Sequence, residues 1–361
     1  MKPNLTARTA DSPGAGSGKR RRGLGGLLFM LLVPVAWGGV EWGGALETNR
    51  TRNIRFTYGA LLDFEGLVTE TTRKLYDVTG STWKQSTAET FSVDDFELEG
   101  PYPSFGFSFD LAWRYFRLLG DTSFIQPDTT TTARRDYYLH VGDDIDYNGR
   151  SYDQMKIPAG APFSADLLGN TTELTLEFVP VGFRAGDWLT VNPSLDLGLL
   201  VFAGSYDLDA GAPSGVVQYQ NPPEDFVVGG RSGGLVALGA PQWGPGVDVR
   251  FGRTGGLQLD LQVHYLFSQY DGSTSFLTTA AHRDKNLEFD HRNLRFRGQV
   301  EIPLNRKLAL TVGLQAQWID TGGLISSTAT DPAEILAKQE RFDKEFTFKS
   351  TSVMGTAGLV F

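Results

Sequence analysis

The sequence predicts an all-β protein, a transmembrane antiparallel up-and-down β-barrel of about ten strands, with eight or twelve as the alternatives. Three observations predict it. From residue 54 to residue 361 the chain breaks into segments whose apolar residues recur at every second position, the period of a strand with two unlike faces. One of those faces is large and aromatic while the other is charged or polar, which suits lipid outside and a polar interior. Short and long connections also take turns, and beyond the amino-terminal region no stretch approaches the roughly 20 apolar residues of a membrane helix.

The strands follow in order. Residues 54–65 set Ile54, Phe56, Tyr58, Ala60, Leu62 and Phe64 against Arg55, Thr57, Gly59, Leu61, Asp63 and Glu65. Residues 104–117 place Phe105, Phe107, Phe109, Leu111, Trp113 and Tyr115 on one face, and Gly106, Ser108, Asp110, Ala112, Arg114 and Phe116 on the other. So apolar a face would aggregate in water. A weaker strand near residues 122–126 is accepted because an even count is needed if both chain ends lie on one side. Further strands run over 174–181, 188–204, 235–251, 257–270, 287–302 and 307–320. In 257–270, Leu259, Leu261, Val263, Tyr265 and Phe267 face out, while Gln258, Asp260, Gln262, His264 and Ser268 face in. In 307–320, Leu308, Leu310, Val312, Leu314, Ala316 and Trp318 face out, with Thr311, Gly313, Gln315 and Gln317 in. Pro193, Pro241 and Pro245 are expected at bulges or strand ends, since proline cannot donate to a ladder.

The last strand, residues 350–361, has Val353, Gly355, Ala357, Leu359 and Phe361 on one face and Ser352, Met354, Thr356, Gly358 and Val360 on the other. Here the chain resembles bacterial outer-membrane β-barrel proteins, whose final strand carries alternate apolar residues and a terminal phenylalanine. The resemblance implies that Val353, Leu359 and Phe361 form an assembly signal read by the barrel-assembly machinery, after delivery by periplasmic chaperones. It further implies an outer membrane of bilayer and lipopolysaccharide as surroundings. The short connections 118–121, 182–187, 252–256 and 303–306 would then be periplasmic turns. The long ones, 66–103, 127–170, 205–234, 271–286 and 321–345, would be extracellular loops.

At the amino terminus, Lys19-Arg20-Arg21-Arg22 precedes an apolar run over 24–35, too short to span a bilayer. Residues 1–38 are therefore expected to be a signal peptide cut between 38 and 45, leaving 39–361 as the barrel domain. Those residues carry six basic side chains against Asp11, so the formal charge of −9 becomes −14 without them. An acidic chain is a poor nucleic-acid partner. The absence of cysteine excludes disulfides and thiolate metal sites.

Asp110, Arg114, Asp196, Asp248, Arg250, Asp260, His264, Arg295, Arg297 and Glu301 are expected to line the lumen, with Arg55, Asp63, Glu173 and Glu177 alongside. Both signs occur, so a network of ion pairs across a narrow interior is the expected arrangement; the alternative is a narrow ion or solute path along Arg250, Arg295 and Arg297. No catalytic constellation is found. His264 and Ser268 share a face but lie about 13 Å apart along a strand. His140, His282 and His291 have no serine at a useful offset, and in Asp290-His291 and Asp143-Asp144 the neighbours point to opposite faces. Asp144, Asp146, Asn148 and Gly149 open like a calcium loop, but Met155 stands where its glutamate should be, so a hairpin turning at Asn148-Gly149 is expected, Tyr147 facing Arg150 and Ile145 facing Tyr152. The expectation is an integral outer-membrane β-barrel, not an enzyme, with no cofactor and no metal, acting as a structural or surface-binding envelope protein or a narrow channel. The alternative is an outer-membrane hydrolase working at the loop-side rim. Oligomeric state is not legible.

Overall fold

The computed structural model describes residues 40–42, 52–77, 82–90, 101–134, 136–220, 223–253, 255–273, 285–305, 307–327 and 340–361. The expected signal peptide, residues 1–38, and His282 lie outside them. The described strands are β1 (Val40–Trp42), β2 (Arg52–Asp77), β3 (Thr82–Thr90), β4 (Tyr102–Trp113), β5 (Phe116–Ile125) and β6 (Asp128–Thr132). Then come β7 (Tyr137–Tyr147), β8 (Arg150–Ile157), β9 (Pro162–Phe178), β10 (Val181–Ala185), β11 (Leu189–Asp209) and β12 (Gly215–Gln220). The chain ends with β13 (Pro223–Val228), β14 (Arg231–Phe251), β15 (Gln258–Ser273), β16 (Lys285–Pro303), β17 (Ala309–Ser327) and β18 (Glu340–Val360).

The large sheet is antiparallel and closes on itself. β2 pairs with β4, β4 with β5, β5 with β9, β9 with β11 and β11 with β14. The ring continues through β15, β16 and β17 to β18, which returns to β2. Closure is least extensive between β14 and β15, whose ladder runs only from Trp243 to Phe251 of β14. At the seam Phe361 and Arg52 exchange backbone hydrogen bonds of 3.1 and 2.8 Å.

Three expectations are corrected. The turn between β4 and β5 is Arg114-Tyr115, not residues 118–121, and Arg114 adopts a φ of 38° there. Gly120 and Asp121 look like turn residues, yet Gly120 lies beneath the Phe109 ring, where a Cβ would come within 2.2 Å of it. Secondly, a register shift at Thr351/Ser352 puts a bulge into β2, so that Leu62 and Asp63 are both exposed and Asp63 leaves the inner face. Thirdly, Pro193, Pro241 and Pro245 sit inside an unbroken β11–β14 ladder, opposite Val247, Leu199 and Leu195. The β14–β15 ladder is interrupted around Pro245, which has no N–H to give.

The long connections also prove to be largely strand. β2 runs on to Asp77 and pairs with β3, and β16, β17 and β18 stay paired as far as Lys285, Ser327 and Asp343. A separate sheet, ordered β12-β13-β8-β7, forms from two of the connections, with β13 parallel to β8. Its β7–β8 hairpin turns at Asn148-Gly149 with φ of 51° and 76°, as the dipeptide predicts. Ile145 pairs with Tyr152 and Tyr147 with Arg150.

Burial is inverted relative to a protein packed around an oily centre. Ile54, Phe56, Tyr58, Phe105, Leu197, Leu199, Leu314 and Trp318 point outward and exposed, whereas Arg55, Asp196, Arg295 and Arg297 are enclosed. Toward the long-connection end the interior turns apolar. There Leu61, Ile125, Leu200, Phe202, Ile319 and Phe348 pack together with Tyr137, Ile145, Met155, Ile157 and Val227 of the second sheet. The Phe202 and Phe348 rings sit 5.2 Å apart at this level.

Candidate functional site: the filled lumen

Alternation on each wall strand sends every second side chain inward, so residues far apart in sequence meet across the ring. Arg55 on β2 donates to both oxygens of Asp110 on β4, at 2.7 and 2.8 Å, and to Ser108 and Gln299 at 2.9 and 3.0 Å. Arg297 on β16 reaches Asp121 on β5 at 2.9 and 3.0 Å and Gln315 on β17 at 2.9 Å, with Asp110 at 3.3 Å. Arg295 lies 3.3 Å from both Asp121 and Glu173. Such pairing is what makes buried guanidinium and carboxylate groups tolerable.

A second group lies toward the short-turn end. Arg117 binds Glu177 at 2.5 Å and Asp248 at 2.8 Å, and Arg250 is 3.6 Å from Asp260. His264 lies 2.8 Å from Asp196 through Nδ1 and 3.4 Å from Glu177 through Nε2. Glu301 is half-buried opposite Gln258. On the long-connection side of Arg295, Glu173 accepts from Gln242, Asn293 and Gln317, while both nitrogens of His291 are occupied, by Thr321 and Gln242. Asp290, next in sequence to His291, points outward to Arg292 at 2.9 Å.

Of the expected lining residues, Arg114 is not in the lumen. It occupies the exposed β4–β5 turn and lies over the Tyr115 ring at 4.7 Å, because that turn comes earlier than expected. The shift brings in Arg117, expected as the last residue of the strand 104–117, and Asp121, expected in the turn; pairing Trp113 with Phe116 would have exposed their inward parity. Ser268 is buried but makes no hydrogen bond, and Ser194, the hydroxyl beside Asp196, donates to that carboxylate. Neither is positioned as an activated nucleophile.

Among the described residues the cavities within this network are small. Two voids beneath the apolar layer, one lined by Ser104, Ile125 and Phe348 and the other by Asp121, Glu173 and Gln315, measure about 20 Å³ each. That is room for roughly one water. A larger hollow of about 460 Å³ lies toward the long-connection end, bounded by Asp166, Leu168, Tyr206, Asp207 and Arg231. Arg231 there is gripped by Asp207, and that hydrogen bond holds the Asp207 carboxyl below its usual range. On the outside, Val353, Leu359 and Phe361 are exposed along β18 and just beyond it, at the seam.

No family model matches this sequence, and no curated protein matches it. Among solved structures, the outer membrane protease OmpT of Escherichia coli aligns over 88% of this chain and all of its own, at 10% identity and a TM-score of 0.39. The Pseudomonas putida toluene transporter TodX covers 89% of this chain and 96% of its own at 9% identity, TM-score 0.18. A Pseudomonas aeruginosa FadL homologue covers 88% and 96% at 9% identity, TM-score 0.20. Resemblance this distant carries no argument about activity, which rests on the residues alone.

Proposed function

We propose that the chain is an integral outer-membrane β-barrel of ten crossing strands whose lumen is closed, and that it serves the envelope through its long-connection end as a structural or surface-binding protein. The observation that carries this reading is the filled interior: paired charges in the middle, an apolar layer above them, and voids of about 20 Å³ between. A hydrated ion or a sugar needs far more room.

The outer surface supports the membrane setting. Outward apolar positions of β17 run from Leu310 to Trp318, about 27 Å along the strand and about 21 Å in height at a tilt of about 40°, close to the roughly 25 Å band of such barrels. Immediately beyond it Arg292, Asp320 and Lys349 stand in register on three strands, as expected where lipid gives way to water. Toward the other end the rings of Trp113, Phe116 and Phe178 lie 6.1 and 5.3 Å apart in a row, and Trp188 and Phe251 form a separate pair at 6.4 Å, in the manner of an interfacial aromatic girdle. The long-connection end then faces outward and the short turns face the periplasm. No hydrolytic role is assigned, since the lumen histidines face amides, carboxylates and a threonine. Vesicles containing the refolded protein should retain small sugars as well as empty vesicles do; rapid equilibration would overturn the closed-barrel reading.

A further inference from the structure

His264 on β15 is held from one side and bare on the other. Its Nδ1 lies 2.8 Å from Asp196 Oδ2, and the other oxygen of Asp196 accepts the Ser194 hydroxyl at 2.6 Å. Gly246 makes this possible, because a Cβ there would fall 2.4 to 2.6 Å from Ser194 Oγ, Asp196 Oδ2 and His264 Nδ1. With the ring hydrogen on Nδ1, Nε2 presents its lone pair to Glu177 Oε1 at 3.4 Å. Neither atom has a hydrogen-bond partner, and both side chains are sealed from solvent. Glu177 is itself fixed, its Oε2 bound by Arg117 at 2.5 Å.

Two unpartnered lone-pair atoms 3.4 Å apart in a dry site repel unless a cation bridges them. A proton would draw nitrogen and oxygen to about 2.7–2.9 Å. A tetrahedral ion with ligands about 2.0–2.2 Å away holds adjacent ligand atoms about 3.4 Å apart, and 3.4 Å is the separation found. Charge points the same way: among the described residues eight lumen carboxylates (Asp110, Asp121, Glu173, Glu177, Asp196, Asp248, Asp260 and Glu301) face five guanidinium groups (Arg55, Arg117, Arg250, Arg295 and Arg297).

We propose that His264 Nε2 and Glu177 Oε1 bind a divalent first-row cation of the zinc type inside the barrel, with Asp196 as the residue that positions the imidazole. Imidazole with carboxylate suits zinc and its neighbours, whereas magnesium and calcium prefer oxygen alone. The carboxylate behind the imidazole sets the tautomer and raises the basicity of the ligating nitrogen. The two ligands come from β9 and β15 and the positioning carboxylate from β11, and the three groups lie within 4.8 Å of one another, so the ion would tie two wall strands directly and a third through Asp196.

The test is elemental analysis of the barrel refolded in excess zinc and freed of loose metal, with folding verified by heat-modifiable electrophoretic migration. One zinc per folded chain is expected. His264→Gln and Glu177→Gln should abolish it and Asp196→Asn should weaken binding about 10- to 100-fold. His291→Gln, changing a histidine whose nitrogens are both already bonded, should keep full stoichiometry. Folded wild-type protein without zinc would overturn the proposal even if a variant failed to fold, and so would zinc retained equally by His264→Gln and Glu177→Gln.

Discussion

Replacing Arg297 by methionine keeps much of the side-chain volume and removes only the guanidinium. Arg297 is 1% exposed and holds Asp121 through two contacts of 2.9 and 3.0 Å. Asp110 loses its weaker partner but keeps the two-point grip of Arg55, whereas Asp121 is left with Arg295 at 3.3 Å. Removing one partner from a largely enclosed ion pair costs about 3–5 kcal/mol, while replacing both partners of a buried pair by apolar side chains is close to neutral. Arg297→Met should therefore lower the unfolding free energy in vesicles, followed by urea titration and tryptophan fluorescence, by about 3–5 kcal/mol. Adding Asp121→Leu should recover most of the loss. In a lumen open to water the stranded carboxylate would be hydrated and the single change would cost about 1 kcal/mol or less. A single variant as stable as the parent, or a double variant worse than the single, would refute the sealed network.

Leu314→Arg puts a charge on an outward position, 60% exposed, in the middle of the apolar stretch of β17, and should cost about 2–4 kcal/mol on folding into lipid vesicles; an unchanged folding free energy would show that this face does not meet the bilayer core. Trp318, at the outer edge of the apolar stretch, and Trp113 and Trp188, at its other end, should each be quenched more strongly by bromines near the headgroups than by bromines deep in the acyl chains, and the reverse order would exclude the assigned orientation. Gly149→Val should speed amide exchange at Tyr147 and Arg150 while the barrel stays folded, since a β-branched residue resists the φ of 76° found there; unchanged exchange would count against the turn as the determinant of the hairpin. Removing Phe361, which pairs with Arg52 where the ring closes, should reduce assembly into the outer membrane without affecting export, and normal heat-modifiable barrel in the deletion would count against its role as a signal.

Much of the wall was legible because period-two alternation is a local property: the faces of residues 257–270 and 307–320 could be assigned one residue at a time. The β4–β5 turn was not, since Gly120-Asp121 carries turn chemistry while serving ring packing and ion pairing instead. The bulge at Leu62 was hidden because a register shift belongs to a pair of strands and not to either sequence. The second sheet depends on the parallel meeting of Val227 with Met155, which no local pattern announces, although the Asn148-Gly149 turn beside it was plain. In the lumen, which residues face inward was readable, but their partners sit on other strands. Glu177, Asp196 and His264 come from three strands and match no metal-binding spacing, so only the closed ring brings them together.

The central claim is that the lumen is closed, and planar-bilayer recording of the refolded wild-type protein tests it most directly. Membranes shown by antibody to contain the folded barrel should stay electrically silent over the voltage range they tolerate. Steady, ion-selective conductance steps that scale with the amount of inserted protein would contradict the account and would mean that the charged interior around Arg295 and Arg297 conducts.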